Sequence, residues 1–426
     1  MRHEIASVLG RRVWDSRGRP TVEAEVRLEG GAMGRAIAPA GASTGSGEAV
    51  DLRDGGARLK GFDVTKAVAN VNGEIARALR NMDVRNQAAL DRRLIDLDGT
   101  PNKGRLGGNA LIAVSMAALH AAAADAGRPL WRHLCGDEPG RVPLPEIQIF
   151  GGGAHAGRRV DVQDFMLVCP GAARFAQALD WTAAVYHAAG DLMAEAGKLM
   201  GVADEGGFWP AFETNEQALD MLMRAIERAG LDAGDEVAIS LDIAASDFGE
   251  HGFYKLGLEK RELDADGMCE MLLGWLDRYP IVSIEDPLAE DDEKGLVRFT
   301  QAAGHRVQIV GDDYLVTNAA RVARAAERGA CNCALIKPNQ AGTITETKAA
   351  LDAARAAGWD AIVSARSGET EDVTVAHLAV GWDAGQLKVG SFSRSERMAK
   401  WNEVLRIAEA MGAEARFAGG ACLRRL

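Results

Sequence analysis

The sequence predicts an α/β protein, with a C-terminal (β/α)8-type barrel over residues 146–426 and a small α+β unit over residues 1–134. Three observations lead to this class. Short apolar strands alternate with amphipathic helix-length segments through the C-terminal part, the rhythm of parallel βα units. Repeated over roughly 280 residues, that rhythm fits a closed barrel better than an open sheet. The N-terminal part has a different order, with strands first and helices after. Between the two, Gly136 to Pro145 is rich in Pro and Gly and follows a helical pattern, so residues 135–145 are expected to be a linker.

The elements follow in order. Residues 4–9 and 21–28 are β-friendly, separated by the turn Asp15-Ser16-Arg17-Gly18-Arg19-Pro20. Gly30-Gly31 marks a hairpin into a third strand that ends at Ala38. Pro39 to Gly47 is a long loop of small residues, which moves at little cost and lets backbone approach a ligand. From Thr65 to about His133, apolar residues recur at helical spacing. Its most apolar tract, 110–124, is Ala-rich and reads as a buried helix. Barrel strands are expected at 236–241, 281–284, 308–310, 334–336, 361–363 and 386–387. Helices between them include 318–328, 344–357 and 373–382. An open doubly wound sheet is the alternative, but no GxGxxG follows a first strand.

Composition narrows the function. The chain has 426 residues, with 49 Lys and Arg against 61 Asp and Glu, a net charge of −12. That excess opposes a grip on nucleic-acid phosphates or on an anionic membrane. It leaves room for a small anionic substrate, because one metal or a few Lys can reverse the sign locally. Apolar residues at 47% exclude a disordered chain. No signal-type apolar region and no run of about 20 apolar residues occurs, so a cytoplasmic location is expected. The six cysteines are scattered without CxxC spacing, so neither zinc nor disulfides are expected. Cys331 and Cys333, two apart in a strand, should share one face as small core residues.

Polar residues recur at the C-terminal strand ends: Asp242, Glu285, Asp312, Lys337, then Ser364, Arg366 and Ser367, then Lys388. In a barrel those ends form one face, where active sites are built. Any one of them alone reads equally well as a solvated turn. Three carboxylates on consecutive strands repel one another unless a cation neutralises them. Oxygen donors without His or Cys suit Mg²⁺ better than zinc. A Lys beside that cation and another ammonium should have a lowered pKa and could serve as a general base. Metal and base together suit proton abstraction beside a carboxylate. Glu205, in Ala203-Asp204-Glu205-Gly206-Gly207, offers a further acid, although an acidic surface turn reads as well. His155 lies among glycines 151–153 and 157, where it is hard to bury and could close over a ligand.

Long motifs in order along the chain resemble the enolase family. They are Asp15-Ser16-Arg17-Gly18, Gly41-Ala42-Ser43-Thr44-Gly45, Asp204-Glu205-Gly206-Gly207, Ser283-Ile284-Glu285-Asp286-Pro287, Ser367-Gly368-Glu369-Thr370-Glu371-Asp372 and Arg394-Ser395-Glu396-Arg397. The resemblance spans about residues 4–410. It implies an N-terminal capping domain and a barrel with a ββαα start. It also implies a hydro-lyase of glycolysis, interconverting 2-phosphoglycerate and phosphoenolpyruvate. By the matching motifs, Asp242, Glu285 and Asp312 would hold one Mg²⁺, and Ser43 would join a second that arrives with substrate. Lys337 would be the base at C2 and Glu205 the acid at the C3 hydroxyl. Lys388 would bind the carboxylate region, Arg366 and Ser367 the phosphate, with His155 and Asp164 also at the substrate. Family members are homodimers or larger rings of dimers, so a homodimer or an octamer of dimers is expected.

Departures from the family pattern gather at the pocket. Ala365 stands where the family has His, and Asp164 where it has Glu. Gln148 and Gly151 replace two Asn, Ala203 replaces a Gly, and Val389 replaces a Thr. Three readings follow. The chain is an enolase, or an enolase-like enzyme with a changed substrate, as in the carboxyphosphonoenolpyruvate synthase group of phosphonate metabolism. A non-catalytic scaffold is the third, opposed by the retained Lys337, Lys388, Glu205 and three carboxylates.

Overall fold

The computed structural model describes residues 2–423 apart from Ser43, Asp137 and Pro139. The chain opens with an antiparallel sheet of β1 (Ile5–Trp14), β2 (Pro20–Leu28) and β3 (Met33–Ile37). Helices Gln87–Asp98 and Gly108–Asp125 follow, the second being the Ala-rich tract. It lies against β2 and β3. The approach is so close that a Cβ on Gly34 would sit 2.1 Å from the Ala117 carbonyl oxygen. Small side chains along this helix permit that contact, and their burial drives it.

The barrel contains β4 (Leu144–Gly151), β5 (Asp164–Val168), β6 (Ala238–Asp242), β10 (Ile281–Glu285), β11 (Gln308–Gly311), β12 (Cys333–Ile336), β13 (Asp360–Ser364) and β14 (Gly385–Ser391). These eight close on themselves through β14 and β4. Between β6 and β10, β7 (Gly249–Glu250), β8 (Phe253–Leu256) and β9 (Arg261–Asp264) form a separate antiparallel sheet. The sequence pattern did not reveal this excursion, because its strands are short and mostly exposed.

Strands β4 and β5 were also missed by the alternation rule. They follow each other without an intervening helix, and β5 pairs antiparallel with both β4 and β6. Helices Phe175–Glu195 and Asn215–Arg228 then come in succession before β6. This is the ββαα start that the resemblance implied. Reversal of β5 has a geometric result: its first residue, Asp164, lies at the same barrel end as the last residues of the other strands. In register, Asp164 faces Gly151 on one side and Asp242 on the other.

Other expectations need correction. Lys388 lies inside β14 rather than after it, because that strand runs on to Ser391. Cys331 and Cys333 are both buried free thiols, but they do not share a face. The strand begins only at Cys333, which packs with Val310, Leu335 and Ile362 inside the barrel, while Cys331 joins the main outer core.

Where the N-terminal helix Gly108–Asp125 meets helix Thr374–Gly381, two histidines come together, His377 buried and His120 half-buried. The His120 and His377 rings meet edge to face at 6.4 Å. His120 Nε2 lies 2.9 Å from Thr374 Oγ1, and His377 Nε2 lies 3.4 Å from Glu403. Burial pushes His377 down to about 4, against the opposing pull of Glu403 and Asp372 and with the help of His120. In the unfolded chain this His titrates near ~6.5. Its contribution to stability is therefore complete above that pH and is lost as pH falls toward about 4. Urea unfolding at pH 7.5 and 4.5 should show the pH-dependent loss reduced by about 2 kcal/mol in His377→Gln. Equal losses in the two proteins would contradict this.

Candidate active site

At the C-terminal mouth of the barrel the sequence-predicted groups converge. Asp242 and Glu285 end β6 and β10, and Asp312 and Lys337 immediately follow β11 and β12. All four are buried, as are Asp164, Glu205, Arg366, Ser367 and Lys388. His155, Asp164, Glu205, Asp242, Lys337, Ala365, Arg366, Ser367, Lys388 and Val389 line one cavity of about 20 Å³. That volume holds little more than one water, so a substrate needs the mouth to open.

Electrostatics hold these groups in place. The Lys388 ammonium donates to Asp242 and Glu285, both at 2.8 Å, and lies 3.4 Å from Asp164. The Lys337 ammonium donates to Asp312 Oδ2, whose other oxygen accepts from Gln340 at 2.9 Å. Asp242 Oδ1 accepts from the Ala244 backbone and Oδ2 accepts from Gln163, at 3.0 and 2.9 Å. Burial and the nearby Arg366 and Lys388 push Lys337 down, but Asp312 and Glu285 outweigh them and favour the ammonium. Lys388 is likewise driven well up by Asp242, Glu285, Asp164 and Glu146, against the cost of its burial.

Two acids face each other at one side. Glu205 stands opposite His155, 3.6 Å from its Nε2. Burial raises Asp164, and Glu205 adds to the rise, to about 6 overall despite Lys388. Glu205 is shifted the other way: burial raises it, but His155, Arg397 and Lys388 together hold it below its ordinary value. His155 is buried, contrary to the expectation from its glycine-rich surroundings that it is hard to bury. It is buried in the short turn Gly153–Ala156, which folds down so that its carbonyl accepts the Asp204 backbone N–H at 3.1 Å.

The residues fit a divalent cation. Five carboxylates (Asp164, Glu205, Asp242, Glu285 and Asp312) share two buried ammoniums. Glu285 Oε1 is buried without a hydrogen-bond partner among the described residues. Burial first, and then the Asp242 charge, drive the Glu285 pKa well up. The donors are hard oxygens, the set Mg²⁺ prefers. Among the described residues, the trios of ligand atoms within 4.8 Å of one another are His155–Asp164–Glu205 and Asp286–Asp312–Asp313. The expected trio is not one of them: Lys388 stands between Asp242 and Glu285, and Lys337 holds Asp312. Ser43, the other expected ligand, lies outside the described residues.

The N-terminal unit completes the site. Ala40 pairs with Gly368, and the Ser46 backbone and hydroxyl donate to Glu290 at 3.0 and 2.9 Å. Arg366 donates to both oxygens of Glu48, at 2.9 and 3.2 Å, and to Asn339. Arg17 reaches Ser367 Oγ at 3.3 Å. Sequence reasoning missed Glu48, Gln163, Gln340 and Asp286 as parts of the site. Gln163 adjoins Asp164 and Asp286 adjoins Glu285, so proximity to the motifs was the available signal. Nothing in the sequence indicated Gln340.

Asp286 works on the backbone. At φ +41° it turns back so that its two oxygens accept the N–H groups of Asp312 and Asp313, at 2.9 and 2.8 Å. It thereby fixes the direction in which Asp312 leaves β11. Burial and the Asp312 charge raise it to about 8. Asp286→Ala should cost about 2–4 kcal/mol in urea unfolding, because two buried donors lose their acceptor. Asp286→Asn, keeping one acceptor, should cost less. A loss below about 0.5 kcal/mol for Ala would rule out this role.

Comparison with known proteins agrees with this geometry. Residues 5–134 match the family described as "Enolase, N-terminal domain", and residues 140–426 match "Enolase, C-terminal TIM barrel domain". The chain is also similar to "Enolase 1" of Desulfitobacterium hafniense (strain Y51). Identity is 49% over 417 residues, covering 97% of this chain and 95% of that protein.

Proposed function

The chain belongs to the enolase family of hydro-lyases, and from that premise we propose that it dehydrates 2-phosphoglycerate to phosphoenolpyruvate in a Mg²⁺-dependent, reversible reaction. The observation that carries this reading is one cavity lined by two ammoniums, Lys337 and Lys388, and by two acids, Glu205 and Asp164, all within reach of one small substrate. α-Proton removal needs a base, and hydroxyl departure an acid, at the same substrate.

Asp242, Glu285 and Asp312 are the residues that would hold Mg²⁺, with Ser43 for a second ion entering with substrate. The metal would supply stabilisation of the charge that develops on the substrate carboxylate. Lys337, as free amine, takes the C2 proton. The C2–H electrons become the C2=C3 bond, and the C3–O bond breaks. Glu205 gives its proton to the departing hydroxyl, which leaves as water. Asp164, the more readily protonated neighbour, stands beside it as the source of that proton. Lys388 holds the carboxylate region, and Arg366 with Ser367 the phosphate, with Glu48 keeping the guanidinium oriented. His155 lies against Glu205 at the rim. The substrate is a small phosphorylated carboxylic acid, the enzyme cytoplasmic, and its assembly a homodimer or a ring of dimers.

With Mg²⁺ and 2-phosphoglycerate, growth of enol absorbance should be robust in the parent. Lys337→Ala should reduce it by at least about 10³-fold, since general-base catalysis contributes about 10²–10⁴. Removal of metal by a chelator should abolish it reversibly. A parent protein that binds Mg²⁺ yet gives no turnover would end this reading.

One observation favours a second reading, a related substrate such as a phosphonate analogue. Ala365 and Val389 line the same cavity, and the Ala365 N–H donates to the Lys388 carbonyl oxygen at 2.9 Å. Two positions where hydrogen-bonding side chains are expected are thus apolar on one wall. Under the second reading, Ala365→His gains turnover of 2-phosphoglycerate by about tenfold or more, one restored hydrogen bond to a charged substrate. Under the first, it leaves the rate unchanged or lower.

A further inference from the structure

We infer that Gln148 is a positioning residue for the acid side of the site: its amide ties the Asp164 carboxylate to the loop that presents Glu205. The inference rests on the reading that Asp164 and Glu205 handle the leaving hydroxyl.

Gln148 is fully buried on β4. Its Oε1 accepts the Gly207 backbone N–H at 2.8 Å. A backbone N–H only donates, so the orientation of the amide is fixed and Nε2 must face the other way. There it donates to Asp164 Oδ1. The same loop is pinned one turn earlier, where the Glu205 carbonyl accepts the Ser391 N–H at 2.9 Å, and the Ala203 N–H closes it onto the Gly207 carbonyl at 2.8 Å. One side chain therefore couples both acids to a rigid strand.

Space around the amide makes the arrangement a set. A Cβ on Gly207 would lie 2.4 Å from Gln148 Oε1. A Cβ on Gly151 would lie 2.8 Å from the Ala203 methyl and 3.0 Å from that same oxygen. With Gln at 148 and Ala at 203, position 151 has no room for a side chain. The lengths also compensate. Gln148 is one methylene longer than the Asn of the family pattern, and Asp164 one shorter than its Glu. The summed length of the amide and carboxylate side chains is kept while the methylene changes sides. The departures at 148, 151, 164 and 203 are thus one concerted replacement rather than four losses.

The test is a double-mutant cycle of Gln148→Asn, Asp164→Glu and both together in the full-length protein. Steady-state kcat and KM are measured with Mg²⁺ and 2-phosphoglycerate, and Tm is measured without substrate. Each single change should lower kcat by about tenfold or more with KM within about threefold, because a displacement near 1 Å of a reacting group is costly. The double variant should return to within about fivefold of the parent kcat, and the Tm losses should not add. Multiplicative kcat losses, or a Gln148→Asn variant equal to the parent, overturn the inference. A parent with no turnover but a coupled Tm cycle would remove the dehydration reading and keep the tie. A working parent with an additive cycle would do the reverse. If Gln148→Asn does not fold, Gln148→Glu serves: it keeps the acceptor for Gly207 but sets an oxygen against Asp164. Its kcat should fall by about tenfold or more with KM within about threefold, and a kcat equal to the parent's overturns the inference.

Discussion

Negative charge gathered at the open end of the barrel is the constraint on which the site depends. Five buried carboxylates cannot all remain ionised in a medium that solvates charge poorly. Two ammoniums, Lys337 and Lys388, hold part of this charge, each on the side of the barrel where it is proposed to meet substrate. The remainder shows as the unpartnered oxygen of Glu285 and the raised pKa values of Glu285 and Asp164. A site with this imbalance accepts a divalent cation more readily than it tolerates none. Filling it would also loosen the carboxylates' hold on Lys337, the change that turns a counter-ion into a base. The same pairing explains why the cavity is nearly filled: ammonium and carboxylate occupy the room that substrate and metal would share.

The second constraint is topological. With all strands parallel, only their C-terminal ends would reach the mouth. Because β5 runs backwards, its leading residues reach it as well, and Gln163 and Asp164 arrive beside Asp242. The reversed strand also leaves the turn Gly153–Ala156 crossing the rim, which puts His155 against Glu205. One inverted pairing thus brings Asp164 and His155 to the mouth, while the parallel strands bring Asp242, Glu285, Asp312, Lys337 and Lys388. The N-terminal unit adds the third wall through Ala40, Ser46 and Glu48, so neither unit makes the site alone.

Much of this was legible in the sequence, for identifiable reasons. Parallel barrel strands are short apolar runs that end in polar residues, so Asp242, Glu285, Asp312 and Lys337 could be read from strand ends alone. The β4–β5 pair could not, because an antiparallel turn replaces the helix that the alternation rule looks for. Strands β7–β9 are only two to four residues long, too short for alternation to stand out along the sequence. The pairing of Lys337 with Asp312, and of Lys388 with Asp242 and Glu285, could not be read either, because spacing along the chain gives no distances. Burial of His155 was hidden for a related reason, since glycines signal freedom of the backbone and not where it is packed.

The departures from the family pattern divide by their structural surroundings. On the acid side each change is met by another: a longer amide meets a shorter carboxylate, and a lost side chain at Gly151 meets a gained methyl at Ala203. On the opposite wall, Ala365 and Val389 change together in the same sense, from hydrogen-bonding to apolar, and no described side chain takes up the lost role. Compensation preserves a geometry, whereas parallel loss alters what a wall recognises. The proton-transfer machinery is therefore the part of the site held constant. The Ala365–Val389 wall lies between Arg366, proposed above for the phosphate, and Lys388, proposed above for the carboxylate, and is where the choice of phosphorylated or phosphonylated acid would be set.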